Sequence, residues 1–220
     1  MSRDARDVAP WTLRVTVPKR SRLIAGLALA ALTLGSVCPG VTAEPVTIGG
    51  PFTLRTPDGT AVTDQTYRGK WLLVYFGYTF CPNSCPTALM DISLVLAQLG
   101  GDADAVQPLF ITVDPQRDTP DILRQYTRSF DPRIIGLSGD PQQIADAAKA
   151  YGAYYTPRKL DPGAEDYLID HSSYIYLMDP AGRFAHGFEA DTPPDRMAAD
   201  VRELMRHATQ ASALPNQSAK

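Results

Sequence analysis

Cysteine is nearly absent from this chain: among 220 residues only Cys38, Cys81 and Cys85 carry a thiol. A scaffold of several disulfides is thereby excluded. Positive charge is short as well. Lys and Arg number 21 against 24 Asp and Glu, and six of the basic groups (Arg3, Arg6, Arg14, Lys19, Arg20, Arg22) fall in the first 43 residues beside only Asp4 and Asp7. The remainder therefore holds 15 basic against 22 acidic side chains, a net charge near −7. An acidic body without a basic stripe argues against nucleic acid as a partner and favours one that presents a basic face. Internal repeats, low-complexity blocks and an interdomain linker are also missing.

Long apolar runs are scarce too. Leu23–Leu34 follows Lys19, Arg20 and Arg22, and it falls short of the roughly 20 residues of a bilayer span while matching the apolar core of an export signal. Val41-Thr-Ala43 supplies small residues for cleavage. Residues 1–43 are expected to be a signal peptide or, alternatively, an uncleaved anchor from Leu23 to Val41 that leaves the domain outside. A lipid-modified Cys38 is a third option, disfavoured by Val37. Asp4 and Asp7 do not suit an acid-poor mitochondrial transit peptide, so the expected compartment is the bacterial periplasm, with the protein soluble or tethered to the inner membrane.

With 44% hydrophobic and 20% charged residues, the rest has material for one well-buried core. Residues 44–208 are expected to form it, with 209–220 a disordered polar tail. Phe52–Leu54 and Ala61–Thr63 flank the turn signal Thr56-Pro-Asp-Gly59 and predict a hairpin. Trp71–Phe76 reads as a central strand, Thr87–Leu99 as a helix with Leu89, Ile92, Leu96 and Leu99 on one stripe, and Leu109–Val113 as a parallel strand. A helix Pro120–Phe130, a strand Ile134–Leu137 and a helix capped by Asp140-Pro141 follow. Tyr154-Tyr155 and Tyr167–Ile169 predict a small excursion. Ser172–Met178 and Arg183–Phe188 predict a hairpin about Asp179–Gly182, and Pro194–His207 a last helix. This order is the thioredoxin-like one: an α/β fold with a central mixed sheet flanked by helices, an N-terminal hairpin and an inserted βα segment.

The chemistry gathers at Gly77-Tyr-Thr-Phe-Cys-Pro-Asn-Ser-Cys-Pro-Thr87. It sits where a central strand hands over to a helix, the edge at which open α/β sheets keep their sites. Pro86 suits a first helical turn, which places Cys85 at a helix N-terminus, where the dipole favours a thiolate. Residues four apart on a helical turn have Cβ atoms roughly 5–6 Å apart, so the two sulfurs can face one soft metal ion or close into a disulfide. A purely structural disulfide explains little, because so short a loop removes little unfolded-chain entropy. The spacing is one residue longer than Cys-x-x-Cys and no Thr-Pro stands immediately before the last hairpin, which points away from a general dithiol oxidant. The Pro-x-x-x-Thr-x-x-Cys pattern of peroxiredoxins fails at both cysteines.

Three segments, Tyr78-Thr-Phe-Cys-Pro-Asn-Ser-Cys-Pro-Thr87, Thr112-Val-Asp-Pro-Gln-Arg-Asp-Thr-Pro120 and Asp170-His-Ser-Ser-Tyr-Ile-Tyr-Leu177, resemble the signatures of the Sco/SenC family, thioredoxin-like copper-binding proteins that assist assembly of cytochrome c oxidase. The resemblance covers Val46 to His207. It implies that Cys81, Cys85 and His171 bind copper. The donor set is apt, since soft Cu(I) prefers thiolates, imidazole joins readily, and both suit Cu(II). His186 and His207 lack such context and read as structural. Asp114, Arg117 and Asp118 end a parallel strand on the copper edge, where they either tune the site or cap the next helix. Asp170 is a candidate to orient His171 or to contact a partner.

Two classes of function follow. The leading expectation is a metallochaperone, in which nothing is turned over, passing copper to the oxidase subunit that carries the dinuclear copper centre. The alternative is a thiol-disulfide reductase that prepares that subunit's cysteines. A redox or copper sensor is a third reading. Expected partners are the copper-centre subunit, a thioredoxin-like reductant and other copper chaperones.

Overall fold

The computed structural model describes residues 47–161 and 166–213. The expected leader 1–43 and the last seven residues of the tail lie outside them. The chain opens with β1 (Thr53–Arg55) and β2 (Ala61–Thr63), an antiparallel hairpin whose turn ends at Gly59 with φ +88°. Glycine takes that backbone conformation at little cost. Arg55 bridges to Ser138 and ties the hairpin to the main body.

A five-stranded mixed sheet forms the centre, in the order β5-β4-β3-β8-β9. β3 (Trp71–Gly77), β4 (Val106–Thr112) and β5 (Ile135–Leu137) run parallel, while β8 (Ile175–Met178) is antiparallel to β3 and β9 (Phe184–Phe188) antiparallel to β8. Every residue of β3 is buried, as its continuous apolar run requires of a strand covered on both faces. The predicted α/β architecture, with the inserted βα segment supplying the edge strand β5, is the one observed.

Among the described residues four α-helices flank the sheet. α1 (Ser84–Leu99) packs against α4 (Pro194–Ala213), α2 (Pro120–Phe130) against β5, and α3 (Pro141–Tyr151) against β1. Asp140 and Gln143 form a reciprocal cap at the start of α3, and Gly152 closes it at φ +65°. Thr119 accepts from the Ile122 N–H to cap α2, with Pro120 behind it. Two helix bounds differ from expectation. α1 begins at Ser84 rather than Thr87, because Pro86 without its N–H is tolerated anywhere in the first turn. α4 runs past His207 to Ala213, since Ala208-Thr-Gln-Ala-Ser-Ala213 holds no residue that breaks a helix. The tail expected from Thr209 is thus helical over its first five residues. Among the described residues no helix is long and apolar enough to cross a membrane.

The expected excursion is a separate antiparallel pair, β6 (Tyr155–Lys159) with β7 (Tyr167–His171). Neither joins the central sheet. β7 runs two residues past Ile169 to end at His171, and Ser172–Tyr174, expected as the start of the next strand, carries the chain across to β8. Ser172 is held at this crossing by donating its N–H to the Tyr154 carbonyl and accepting the Tyr154 N–H at its hydroxyl.

Candidate metal centre

Cys81 sits in the loop between β3 and α1, half-buried, and Cys85 lies one helical turn on, fully buried. His171 reaches them from β7. One donor atom from each of the three falls within 4.8 Å of the others. Cys85 Sγ is 3.4 Å from His171 Nε2, and the Cys85 N–H donates to Cys81 Sγ over 3.5 Å. Ser84 Oγ stands between, 3.2 Å from Cys81 Sγ and 3.5 Å from Nε2.

The tautomer of His171 follows from its second nitrogen. Nδ1 lies 2.9 Å from the Ser172 carbonyl, which only accepts, so Nδ1 carries the hydrogen and Nε2 presents its lone pair to the sulfurs. The rings of Tyr75 and Tyr78 meet the imidazole edge to face, at centroid distances of 6.0 and 5.7 Å. Gly77 makes room for the buried sulfur: a Cβ there would stand 2.7 Å from Cys85 Sγ and 2.9 Å from Phe110 Cε2.

The two thiols are unlike. A hydrogen bond from the Cys85 thiol, joined by those from the Ser84 hydroxyl and the Cys85 N–H, holds Cys81 far below the usual thiol range despite partial burial. Burial pushes Cys85 up, and the negative charge at Cys81 adds to the effect. The unmetallated pair is therefore one half-exposed thiolate backed by one buried thiol.

Asp118 is buried and does not reach the donor atoms. Its carboxylate accepts from the Thr79 N–H at 3.1 and 3.2 Å, from the Thr79 hydroxyl at 2.6 Å and from the Thr112 hydroxyl at 2.5 Å, which fixes the loop two residues before Cys81. Burial raises its pKa above 3.8. Asp114 pairs with Arg117 and accepts from the Tyr167 hydroxyl over 2.9 Å. Asp170 faces away from the imidazole. Its exposed carboxylate pairs with Arg158 at 3.1 Å, and the partner at Nδ1 is the Ser172 carbonyl instead. Ser84, Thr79 and Tyr167 escaped the sequence reading. Ser84, between the two cysteines at the start of α1, had a local signal; Tyr167 had none.

The centre opens into a cleft of about 730 Å³ walled by Cys81 and Ser84 on one side and by Tyr154, Arg158 and His171 on the other. Two sulfurs, one imidazole and an open approach suit a soft ion that must enter and leave.

Fold and donor set together define a thioredoxin-like domain with an open thiolate–imidazole centre. The chain belongs to the SCO1/SenC family, whose pattern matches residues 40–206. Protein SenC of Rhodobacter capsulatus is 45% identical over 160 residues, covering 70% of this chain and 69% of its own. Protein sco1 of Schizosaccharomyces pombe is 40% identical over 153 residues, covering 69% of this chain and 58% of its own. The structure of Bradyrhizobium japonicum ScoI with copper bound is 47% identical, with a TM-score of 0.65, over 71% of this chain and 99% of that one. The chain spans little more than half the length of several curated relatives it matches.

Proposed function

We propose that this protein is a copper chaperone that binds one copper ion through Cys81, Cys85 and His171 and delivers it to the dinuclear copper centre of cytochrome c oxidase during assembly. The observation that carries the reading is the convergence of three donor atoms within 4.8 Å on a half-open site. Membership of the SCO1/SenC family and the copper carried by ScoI of Bradyrhizobium japonicum support the choice of metal. Open coordination serves transfer, because a partner's ligands can replace the protein's own one at a time. Residues 1–43 export the domain 44–208 to the periplasm in this reading and either leave or anchor it.

A competition titration of the reduced protein with Cu(I) against a chelator tests the site. One tightly bound ion, lost or much weakened in His171→Ala and Cys85→Ser, is the expected result. Binding indifferent to His171 overturns the three-donor site.

The asymmetry of the thiols favours a second activity at the same residues, reduction of a disulfide in the same oxidase subunit. The Cys81 thiolate attacks one sulfur of the partner disulfide and expels the other as a thiolate. Cys85, on losing its proton, then attacks the Cys81 sulfur of the mixed disulfide and expels the partner's remaining sulfur as a thiolate, closing a Cys81–Cys85 disulfide, so the partner gains two electrons and this pair loses them. A thioredoxin-like reductant returns it to the dithiol.

A further inference from the structure

The strand that carries His171 is joined to the rest of the domain by side chains. β7 pairs with β6 and with no strand of the central sheet, so the imidazole stands wherever β7 is gripped. The Tyr167 hydroxyl donates to Asp114 Oδ1 over 2.9 Å, and Arg117 Nη1 donates to the Tyr167 carbonyl over 2.9 Å. The Arg117 guanidinium lies 3.7 Å from the centroid of the Tyr167 ring and is paired with Asp114. Two residues on, the Ile169 N–H donates to the Tyr78 hydroxyl over 3.1 Å.

The loop between β4 and α2 grips the other half of the centre as well. From it Asp118 accepts the N–H and hydroxyl of Thr79, just before Cys81. One short loop thus holds the cysteine segment through Asp118 and the histidine strand through Asp114 and Arg117. Arg117 is placed there at a cost, for its Nη2 is buried without a hydrogen-bond partner. An ion pair that served only to decorate the surface would avoid that desolvation. Lysine could not replace it, since a single ammonium cannot reach the Asp114 carboxylate and the Tyr167 carbonyl while stacking on the ring.

We propose that Arg117 and Asp114, acting through Tyr167, are positioning residues that set the distance between the His171 imidazole and the two sulfurs. None of the three touches a donor atom. Tyr167 and His171 are the two ends of one strand, so a shift or tilt at the first is passed along the backbone to the second. The inference rests on the copper-binding reading of Cys81, Cys85 and His171.

The test uses the purified full chain with Tyr167→Phe, which removes the hydroxyl and keeps the ring, and Arg117→Lys, which keeps the charge and loses the fork. Cu(I) affinity, nitrogen coupling in the electron paramagnetic resonance spectrum of the Cu(II) form, the His171 imidazole resonances of the metal-free protein and the Cys81 alkylation rate are compared with wild type and His171→Ala. Expected are wild-type alkylation, displaced imidazole resonances, weakened nitrogen coupling and an affinity about 10- to 100-fold lower, as for loss of groups that orient a ligand. Wild-type affinity and nitrogen coupling in Tyr167→Phe overturn the proposal, as does lost affinity with the imidazole resonances unmoved. If Arg117→Lys does not fold, Tyr167→Phe decides alone. Copper binding by His171→Ala equal to wild type removes the copper reading itself, and the metal-free imidazole resonances still report separately on the positioning.

Discussion

Cys85 Sγ lies 3.4 Å from Nε2 of His171, although 86 residues separate them along the chain. The contact joins the first turn of α1 to the end of β7, and it makes a dithiol into a three-donor site.

Removing the imidazole should separate the two activities. His171→Ala is expected to bind Cu(I) at least about tenfold more weakly, given that even groups which only orient a ligand cost that much. Its rate of reducing a model disulfide should stay within about twofold of wild type, because the attacking thiolate at Cys81 keeps the Cys85 and Ser84 hydrogen bonds. Stopped-flow reduction beside a copper titration checks both. A parallel loss of the two would tie them to one mechanism.

The unequal thiols predict an unequal response to pH. With its pKa held far down, Cys81 is already a thiolate at neutral pH and stays so as the solution becomes mildly acidic. Alkylation of Cys81 by iodoacetamide should be nearly flat from about pH 5 to about pH 8, where an ordinary thiol slows about tenfold per unit of acidification. Cys85, buried and protonated, should react only on unfolding. Peptide mapping after timed alkylation distinguishes the two, and an ordinary titration curve at Cys81 would refute the assignment.

Asp118 gives a stability effect of unusual sign. Burial raises its carboxyl above 3.8 against the pull of hydrogen bonds from Thr112 and Thr79. The folded state therefore holds this proton more tightly than the unfolded chain, so the contribution is present at low pH and is lost as pH rises through the raised value. Asp118→Asn cannot titrate. Wild type should accordingly gain stability relative to the variant as pH falls from about 7 to about 4. Urea midpoints at both values measure the gap; a gap that shrinks on acidification contradicts the prediction.

Gly77→Ala tests the space behind the buried sulfur. The added methyl would meet Cys85 Sγ at 2.7 Å and Phe110 Cε2 at 2.9 Å, neither free to retreat in a filled core. Destabilisation of about 1–3 kcal/mol is expected from overpacking, together with weaker copper binding as Cys85 is displaced. Denaturant unfolding and the Cu(I) titration measure the two; an unchanged protein would show that the site yields more easily than its burial implies.

Much of this protein was legible along the chain. Apolar runs and helical stripes placed β3, β4 and the four helices, because burial imposes a period on every element that faces a core. Cys81 and Cys85 were legible as a pair for a similarly local reason: four residues at the junction of a loop and a first helical turn keep two side chains close. Local reading faltered at the strand expected to end at Ile169, which runs on to His171 as β7, and at Asp170, which turned to Arg158 rather than to the imidazole. Sequence by itself determined the elements, their order and the residue types able to hold a soft metal. Only the tertiary structure decided that β7 leaves the central sheet, that Asp114 and Arg117 reach across to Tyr167, and that Cys85 is buried behind Cys81. Those relations depend on which side chains fill the space between segments distant in the chain, and no periodicity records that.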